Sequence, residues 1–195
     1  CMVKPETCHF AAGTCRDESW GLRHCFQRHV IYLANSSGIK VGITRGEQVP
    51  TRWIDQGAVQ ALPILEVDNR LHSGLVERIF AAQVADKTNW RAMLKGQVDS
   101  IDLITARDHL LSICAEPLDA LFQEHGADAI RILDLKPVEI NYPVLNYPTK
   151  VVSLNFDKDP VVEGVLQGIK GQYLMFDTGV INLRKFGAYT INFFA

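Results

Sequence analysis

Three polar side chains that could act on a phosphate group lie within one short stretch, residues 29–52. Tyr32 offers a phenol, Lys40 an amine and Arg52 a guanidinium. Hydrolysis of a phosphodiester needs a base that activates water, a cation that neutralises the charge gathering on the phosphorus oxygens, and usually a metal ion. A phenol, an amine and a guanidinium can meet the first two needs, and a carboxylate such as that of Glu77 can hold the metal.

A second group of reactive side chains lies in the cysteine-rich segment, residues 1–28. Four of the five cysteines occur here with the spacing C-x6-C-x6-C-x9-C, and a histidine follows after three more residues. Zinc takes four thiolate or imidazole ligands, and a C-x3-H spacing lets both side chains face one point. Disulfides are the alternative, but the chain shows no secretory signal, so we expect structural zinc. The candidate ligands are Cys1, Cys8, Cys15, Cys25 and His29.

The elements that must position the first group begin with a β-hairpin. Residues 29–35 and 39–45 are two short runs rich in β-branched and apolar residues, joined by an Asn-Ser-Ser-Gly turn. A short helix is predicted over 47–57, with a proline near its start and a glycine at its end. Arg52 and Gln56 are four residues apart on this helix and therefore share a face.

Further elements follow the hairpin. A strand is predicted over 61–68, and a helix over 73–85 with Ser73 as its N-cap, which places Glu77 in the first helical turn. A second helical region is predicted over 99–125. After that the pattern changes to short strands. The predicted strands are 130–140, 151–156, 161–169, 172–176, 180–184 and 189–193, and the predicted domains are 1–28, 29–126 and 127–195.

The hairpin carries a resemblance to a known family. Its Tyr-Leu-Ala, the following Lys-Val-Gly-Ile-Thr and the arginine on the next helix resemble the GIY-YIG endonucleases, in the variant where lysine replaces the second tyrosine. The resemblance implies an α+β core in which a small antiparallel sheet is flanked by helices. Carried over by position, it implies catalytic roles for Tyr32, Lys40, Arg52 and Glu77, with magnesium held by the glutamate. It also implies Asn89 as a contact to nucleic acid, while Arg45 competes for the arginine role.

Across its whole length the chain also resembles an uncharacterised bacterial family catalogued as a domain of unknown function. Members look as though they carry further cysteines ahead of Cys1, and we expect the natural start of this chain to lie upstream as well. The family brings no known reaction. The segments that carry the resemblance are KPETC (4–8), GTCR (13–16), YLANSSGIKVGITR (32–45), PTRWIDQGA (50–58), DKTNWRAMLKG (86–96) and GIKGQYLMFDTGVINLRKFGAY (168–189).

Bulk composition narrows the function classes. With 47% hydrophobic and 22% charged residues the chain is typical of a globular protein, and no apolar run approaches the roughly 20 residues that span a membrane. The formal net charge of −2 lacks the strongly basic balance of a dedicated nucleic-acid binder. We expect a cytoplasmic α+β protein, with a cysteine-rich amino-terminal segment and a small all-β carboxy-terminal module, that engages nucleic acid. It is either a metal-dependent phosphodiesterase or a non-catalytic, zinc-containing adaptor for nucleic acid or protein.

Overall fold

The computed structural model describes residue 1 and residues 3–84, 89–126 and 128–194. It confirms the α+β class: both sheets are antiparallel, and the described residues contain six α-helices. The strands are β1 (His29–Asn35), β2 (Ile39–Arg45), β3 (Gln60–Val67), β4 (Ile130–Ile132), β5 (Val138–Glu139), β6 (Leu166–Lys170), β7 (Tyr173–Phe176) and β8 (Val180–Asn182). The helices are α1 (Glu18–His24), α2 (Thr51–Asp55), α3 (Arg70–Ala81), α4 (Trp90–Leu94), α5 (Leu103–Ile113) and α6 (Ala115–His125).

The first sheet is built on the predicted hairpin, which the structure confirms. Its strand order is β2-β1-β3-β4, with β5 also pairing with β3, so β2 forms an edge. In the hairpin register Tyr32 lies opposite Gly42, and Ala34 lies opposite Lys40. Side chains at opposed positions of an antiparallel pair emerge on the same face. Tyr32, Ala34 and Lys40 therefore belong to one face of the sheet.

Helices cover the two faces of this sheet. On one face, Ile31 and Leu33 of β1 pack with residues of α3, α5 and α6 in the main core. On the other face, Tyr32 and Ala34 pack with Trp53 of α2. The alternation follows from the two-residue period of a strand. Helices α2 and α3 therefore approach the sheet from opposite sides.

Several predicted helix boundaries are wrong. The helical region predicted over 99–125 begins only at Leu103, with Asp102 as its N-cap, and is divided at Cys114. The helix predicted over 47–57 is a 3-10 helix, Gly46–Gln48, followed by the five-residue α2. Helix α3 begins earlier than predicted because Asn69, not Ser73, is its N-cap: the Asn69 Oδ1 accepts from the backbone N–H of His72 at 3.0 Å. Ser73 is fully buried, and its hydroxyl donates to the carbonyl of Arg70 at 2.8 Å. Helix α3 ends at Ala81, and residues 82–84 form turns and a bend, so the helix also ends earlier than predicted; residue 85 itself lies outside the described residues.

The carboxy-terminal part differs from the prediction in several ways. Strands β4 and β5 pair with β3, so the first sheet continues beyond residue 126. The second sheet has the order β6-β7-β8, whereas 151–156 contributes a single bridge, from Ser153 to Val180. A turn begins at Asn155, whose Oδ1 accepts from the N–H of Asp157 at 2.9 Å, and this turn ends the extended stretch. The strand predicted over 189–193 does not form.

Candidate functional site

A cavity of about 440 Å³ lies along the edge strand β2. Four consecutive residues of β2 line it, and because side chains alternate along a strand, the cavity bends around the sheet edge. Helix α2 contributes from one face, and α3 contributes Glu77 from the other. The lining residues are Lys40, Val41, Gly42, Ile43, Arg52, Gln56 and Glu77. Three of the four predicted catalytic residues, Lys40, Arg52 and Glu77, therefore share one cavity.

Tyr32, the fourth, is fully buried beside this cavity. Its ring meets Trp53 edge-on, with 5.9 Å between ring centres. Its hydroxyl oxygen accepts a hydrogen bond from Nε2 of Gln56 at 3.0 Å. Gln56 lines the cavity, so the phenol is connected to the cavity through this amide.

The buried position alters the acidity of Tyr32. Burial raises the pKa of the phenol above its usual value of about 10, because an ionised oxygen would lose its water. The charge of Arg52 and the hydrogen bond from Gln56 lower the pKa, and the nearby Glu77 raises it. Since burial is the largest of these effects, the phenol keeps its proton at neutral pH.

The two predicted nucleic-acid contacts do not line this cavity. Arg45 lies at the far end of the hairpin opposite His29 and forms an ion pair with Glu47 at 3.1 Å. Asn89 is the N-cap of α4, and its Oδ1 accepts from the N–H of Ala92 at 3.1 Å. Of the two arginines that compete for one role, Arg52 is the one that lines the cavity with Glu77.

Gln56 is the residue to which the sequence assigned no function. Its spacing of four from Arg52 did place both side chains on one helix face. That spacing could not reveal the contact with Tyr32, because the phenol belongs to β1, which β2 and a 3-10 helix separate from α2 in the chain.

Comparison with known proteins places the chain in a family. The model for a protein family of unknown function, DUF2797, matches residues 1–191. The chain belongs to the DUF2797 family. No curated protein matches the chain, and no solved structure does. Among the residues described for this DUF2797 protein, no helix is both long enough and apolar enough to cross a bilayer.

The cysteine-rich segment of this DUF2797 protein brings three thiols near one another. Burial raises the pKa of Cys25 to about 11, and the neighbouring Cys8 adds to this effect by its charge and a side-chain hydrogen bond. Cys15 acts in the same direction, while Arg70 opposes it. Nevertheless, no three His, Cys, Asp or Glu side chains in the described ranges are arranged as a metal site.

His29, the fifth predicted metal ligand, is almost fully buried at the start of β1. Its Nδ1 is 2.7 Å from the carbonyl oxygen of Gln27, and because a carbonyl can only accept, Nδ1 carries the proton. Its Nε2 is buried and has no hydrogen-bond partner among the described residues. Burial lowers the pKa of this imidazole below its usual value.

The cysteine-rich segment is also attached to the helix that carries Glu77. The 3-10 helix Pro5–Thr7 packs against α3 at Gly74. A β-carbon on Gly74 would lie 2.2 Å from the backbone nitrogen of Glu6, so only glycine permits this approach. In this DUF2797 protein the amino-terminal segment therefore contacts α3 one turn before Glu77.

Proposed function

We propose that this protein binds nucleic acid at the β2 edge cavity and hydrolyses a phosphodiester bond there with the help of a divalent metal ion. The observation that carries the proposal is the shared cavity. Lys40, Arg52 and Glu77 come from three separate elements and line one open space of about 440 Å³. A guanidinium suits a phosphate, an amine suits a proton from water, and a carboxylate suits a divalent cation.

The residues have distinct roles in this proposal. The Arg52 guanidinium holds the phosphate oxygens and neutralises the charge that builds on them, because its planar fork matches two oxygens at once. Tyr32 keeps its proton, so among the two candidate groups it is the one that polarises and not the one that acts as base. The amine nitrogen of Lys40 takes the proton of the attacking water. The water oxygen forms a new bond to phosphorus, and the bond from phosphorus to the departing sugar oxygen breaks.

Glu77 fits the remaining requirement. Its carboxylate is the one acidic group among the residues that line the cavity. Magnesium is commonly bound in proteins through one or two carboxylates together with substrate phosphates, so a single glutamate is a sufficient protein ligand. When bound there, the ion supplies stabilisation of the negative charge on the leaving oxygen.

The arrangement of elements supports the likeness to GIY-YIG endonucleases on which the proposal partly rests. A hairpin, a short helix, a third strand and a longer helix follow one another, and the three strands lie in the order β2-β1-β3. Tyr32 and Lys40 lie on the hairpin, Arg52 on the short helix and Glu77 on the longer helix, as the resemblance implies.

The test is a cleavage assay on labelled single-stranded and double-stranded DNA and RNA, with magnesium or with EDTA. We compare the wild type with Glu77→Gln, which preserves size and removes the charge. The wild type should cleave at least one substrate only with magnesium, and the variant should be slower by about 100-fold or more. Equal rates for both proteins, or cleavage in EDTA, would contradict the proposal.

A binding titration addresses the non-catalytic alternative. Association with nucleic acid should weaken steeply as salt rises, because neutralised phosphates release counterions. Salt-dependent binding without cleavage of any substrate would identify an adaptor for nucleic acid. Absence of both cleavage and binding would remove nucleic acid from the proposal altogether.

We also propose that the cysteine-rich segment binds structural zinc through thiolates of Cys8, Cys15 and Cys25, with Cys1 or His29 as the fourth ligand. What supports this is that Cys8 and Cys15 both raise the pKa of Cys25, and that Nε2 of His29 is unpartnered and unprotonated. The Nδ1 hydrogen bond of His29 to a backbone carbonyl is the arrangement usual for a metal-bound histidine. Arg70 donates to the carbonyl of Cys1 at 3.3 Å, which brings that residue toward the same region.

Metal analysis of the reduced protein tests the zinc proposal. One zinc per chain is expected in the wild type, and Cys8→Ser or Cys25→Ser should lose it. Loss with Cys1→Ser or with His29→Gln identifies the fourth ligand. No zinc in the wild type with its thiols reduced would refute the proposal, whereas Cys114→Ser serves as the matched control because that thiol lies in the helical core.

A further inference from the structure

The carboxamide of Gln56 lies between the buried phenol and the cavity. One end, Nε2, donates to the hydroxyl oxygen of Tyr32 at 3.0 Å. The other end, Oε1, is buried and accepts no hydrogen bond from the described residues. Gln56 lines the cavity together with Arg52 and Glu77, so this one residue contacts the phenol and also borders the space where a ligand would lie.

The hydrogen bond from Nε2 of Gln56 restricts which acceptor the hydroxyl proton of Tyr32 can use. A phenol oxygen has one proton to donate and lone pairs that accept. Because Gln56 and Arg52 both hydrogen-bond to Tyr32 and both lower its pKa, they act as donors to this oxygen. The proton of Tyr32 is therefore left for another acceptor.

The free carbonyl end of Gln56 is suited to a hydrogen-bond donor. Buried carbonyl oxygens in proteins are nearly always hydrogen-bonded, so an unpartnered one on a residue that lines a cavity is suited to a ligand. The ligand of a hydrolytic reaction that brings an O–H group is the attacking water. A carboxamide is not basic near neutral pH, so it can orient that water but cannot take its proton.

We propose that Gln56 is a positioning residue that holds the Tyr32 phenol through Nε2 and orients the attacking water through Oε1. The water-orienting half of this inference rests on the phosphodiesterase activity proposed above, whereas the contact with Tyr32 does not. The proton that the water loses goes to Lys40, as in the reaction already described. Gln56 thus acts on the geometry of the reaction and leaves its acid–base chemistry to other groups.

The first experiment needs no activity. We label tyrosine at Cζ with carbon-13 and titrate Tyr32 by NMR in the wild type, in Gln56→Leu and in Gln123→Leu, whose glutamine is exposed on α6. Loss of the donated hydrogen bond should raise the pKa of Tyr32 in Gln56→Leu, and Gln123→Leu should match the wild type. An unchanged Tyr32 titration in a folded Gln56→Leu protein would overturn the inference.

The second experiment uses the cleavage assay. Gln56→Leu should lower kcat by about 10-fold or more, as for loss of a group that orients a reactant. Its KM should stay within about twofold of the wild-type value, because the phosphate contact of Arg52 remains. A raised KM with unchanged kcat would assign Gln56 to substrate binding and would overturn the inference. Urea unfolding of each variant confirms that it folds.

The two proposals fail in different ways. If the wild type cleaves no nucleic acid, the proposed function and the water-orienting role fall together, and the Tyr32 titration still decides whether Gln56 holds the phenol. If the wild type cleaves and Gln56→Leu cleaves equally fast, the proposed function stands and Gln56 is not a positioning residue.

Discussion

Gly42 lies directly beneath the phenol of Tyr32, its partner in the hairpin register. A β-carbon on Gly42 would come within 2.5 Å of Cζ and 2.6 Å of the hydroxyl oxygen of Tyr32. The ring is packed against Trp53 and fully buried, so it has little room to move away. Glycine at position 42 therefore leaves the space that the buried phenol of Tyr32 occupies, and so permits its contact with Gln56.

Gly42→Ala should consequently displace the Tyr32 ring. We expect a loss of about 1–3 kcal/mol in unfolding free energy, as for overpacking of a filled core. Urea unfolding measures this, and the hydrogen bond between Tyr32 and Gln56 should be disturbed as well. Gly46→Ala is the matched control, since a β-carbon there would meet only the carbonyl of Arg28 at 3.8 Å. Equal stability of both variants would show that the ring adapts freely.

Local chemistry explains why part of the cavity was predictable. The Asn-Ser-Ser-Gly turn dictates a hairpin, and the hairpin alone sets Lys40 opposite Ala34. Arg52 and Gln56 share a helix face by spacing. Each of these features depends on residues that are close together in the chain. Turn residues and the spacing of apolar residues predict such local structure well.

Features that depend on distant contacts were not predictable. Whether Tyr32 is buried or exposed depends on which face of the sheet receives α2, and a strand pattern does not contain that information. The pairing of Leu65 with Ile132 joins distant parts of the chain, so β4 was assigned to the carboxy-terminal module. The N-cap of α3 was misplaced because Ser73 has the right chemistry, although the backbone of Asn69 is extended and that of Ser73 is helical.

Substitution of Arg52 by lysine tests whether phosphate binding in the cavity needs only a positive charge or also the planar shape of the guanidinium. Lysine keeps the positive charge but cannot form two parallel hydrogen bonds to a phosphate. We expect Arg52→Lys to lower kcat for cleavage by about 100-fold, measured in the magnesium-dependent assay. Arg78→Lys, at an exposed position of α3, should retain the wild-type rate. Full activity of Arg52→Lys would mean that a point charge is sufficient.

The neighbouring histidines His72 and His125, whose rings are tilted against each other, make stability depend on pH. Their ring centres are 4.5 Å apart. Burial lowers the pKa of His72, and the charge of His125 lowers it further. Below the unfolded value of about 6.5, the unfolded chain therefore binds a proton that the folded chain does not, so unfolding free energy falls as pH falls through this window.

His125→Gln should reduce that pH dependence, because it removes the positive charge facing His72. The measurement is the difference in unfolding free energy between pH 7.5 and pH 5.0. His109→Gln, at an exposed position of α5, should leave the difference as in the wild type. A larger pH dependence in His125→Gln would contradict the assignment of the two rings as mutually repelling.

Gly74 should control the attachment of the cysteine-rich segment to α3. Alanine favours helix over glycine by about 1 kcal/mol, so Gly74→Ala would stabilise an isolated α3. In the folded protein the new β-carbon would collide with the backbone of Glu6, which a backbone cannot easily avoid. We expect faster limited proteolysis within residues 1–16 of the variant. Arg78→Ala, on the same helix but exposed, should be cleaved at the wild-type rate.

Lys170 is a buried amine between two tyrosine rings in the carboxy-terminal part of the protein. Its side chain is 1% exposed, and Nζ lies 5.3 Å from the ring centre of Tyr142 and 5.4 Å from that of Tyr147. Among the described residues it forms no ion pair, and burial lowers its pKa. The contact with the rings favours the charged form by about 0.5–2 kcal/mol, whereas loss of water disfavours it.

These opposed effects predict how Lys170→Met behaves. Methionine has a similar length and no charge to bury, so unfolding free energy at pH 7 should stay within about 1.5 kcal/mol of the wild-type value. Lys170→Ala would leave a cavity and should cost about 2–5 kcal/mol, by analogy with methionine to alanine changes in cores. Urea unfolding of both variants distinguishes the loss of volume from the loss of charge.

The pH dependence gives the sharper test. In the wild type the folded pKa of Lys170 lies below the unfolded value of about 10.4, so the unfolded chain binds more protons between these values and unfolding free energy rises with pH there. Lys170→Met should lack this contribution to the rise as the pH approaches the unfolded value of about 10.4. Lys136→Met, at an exposed position, should keep it. If Lys170→Met shows the same slope as the wild type, the amine of Lys170 keeps its proton in the folded protein throughout this range, and the two tyrosine rings offset the burial.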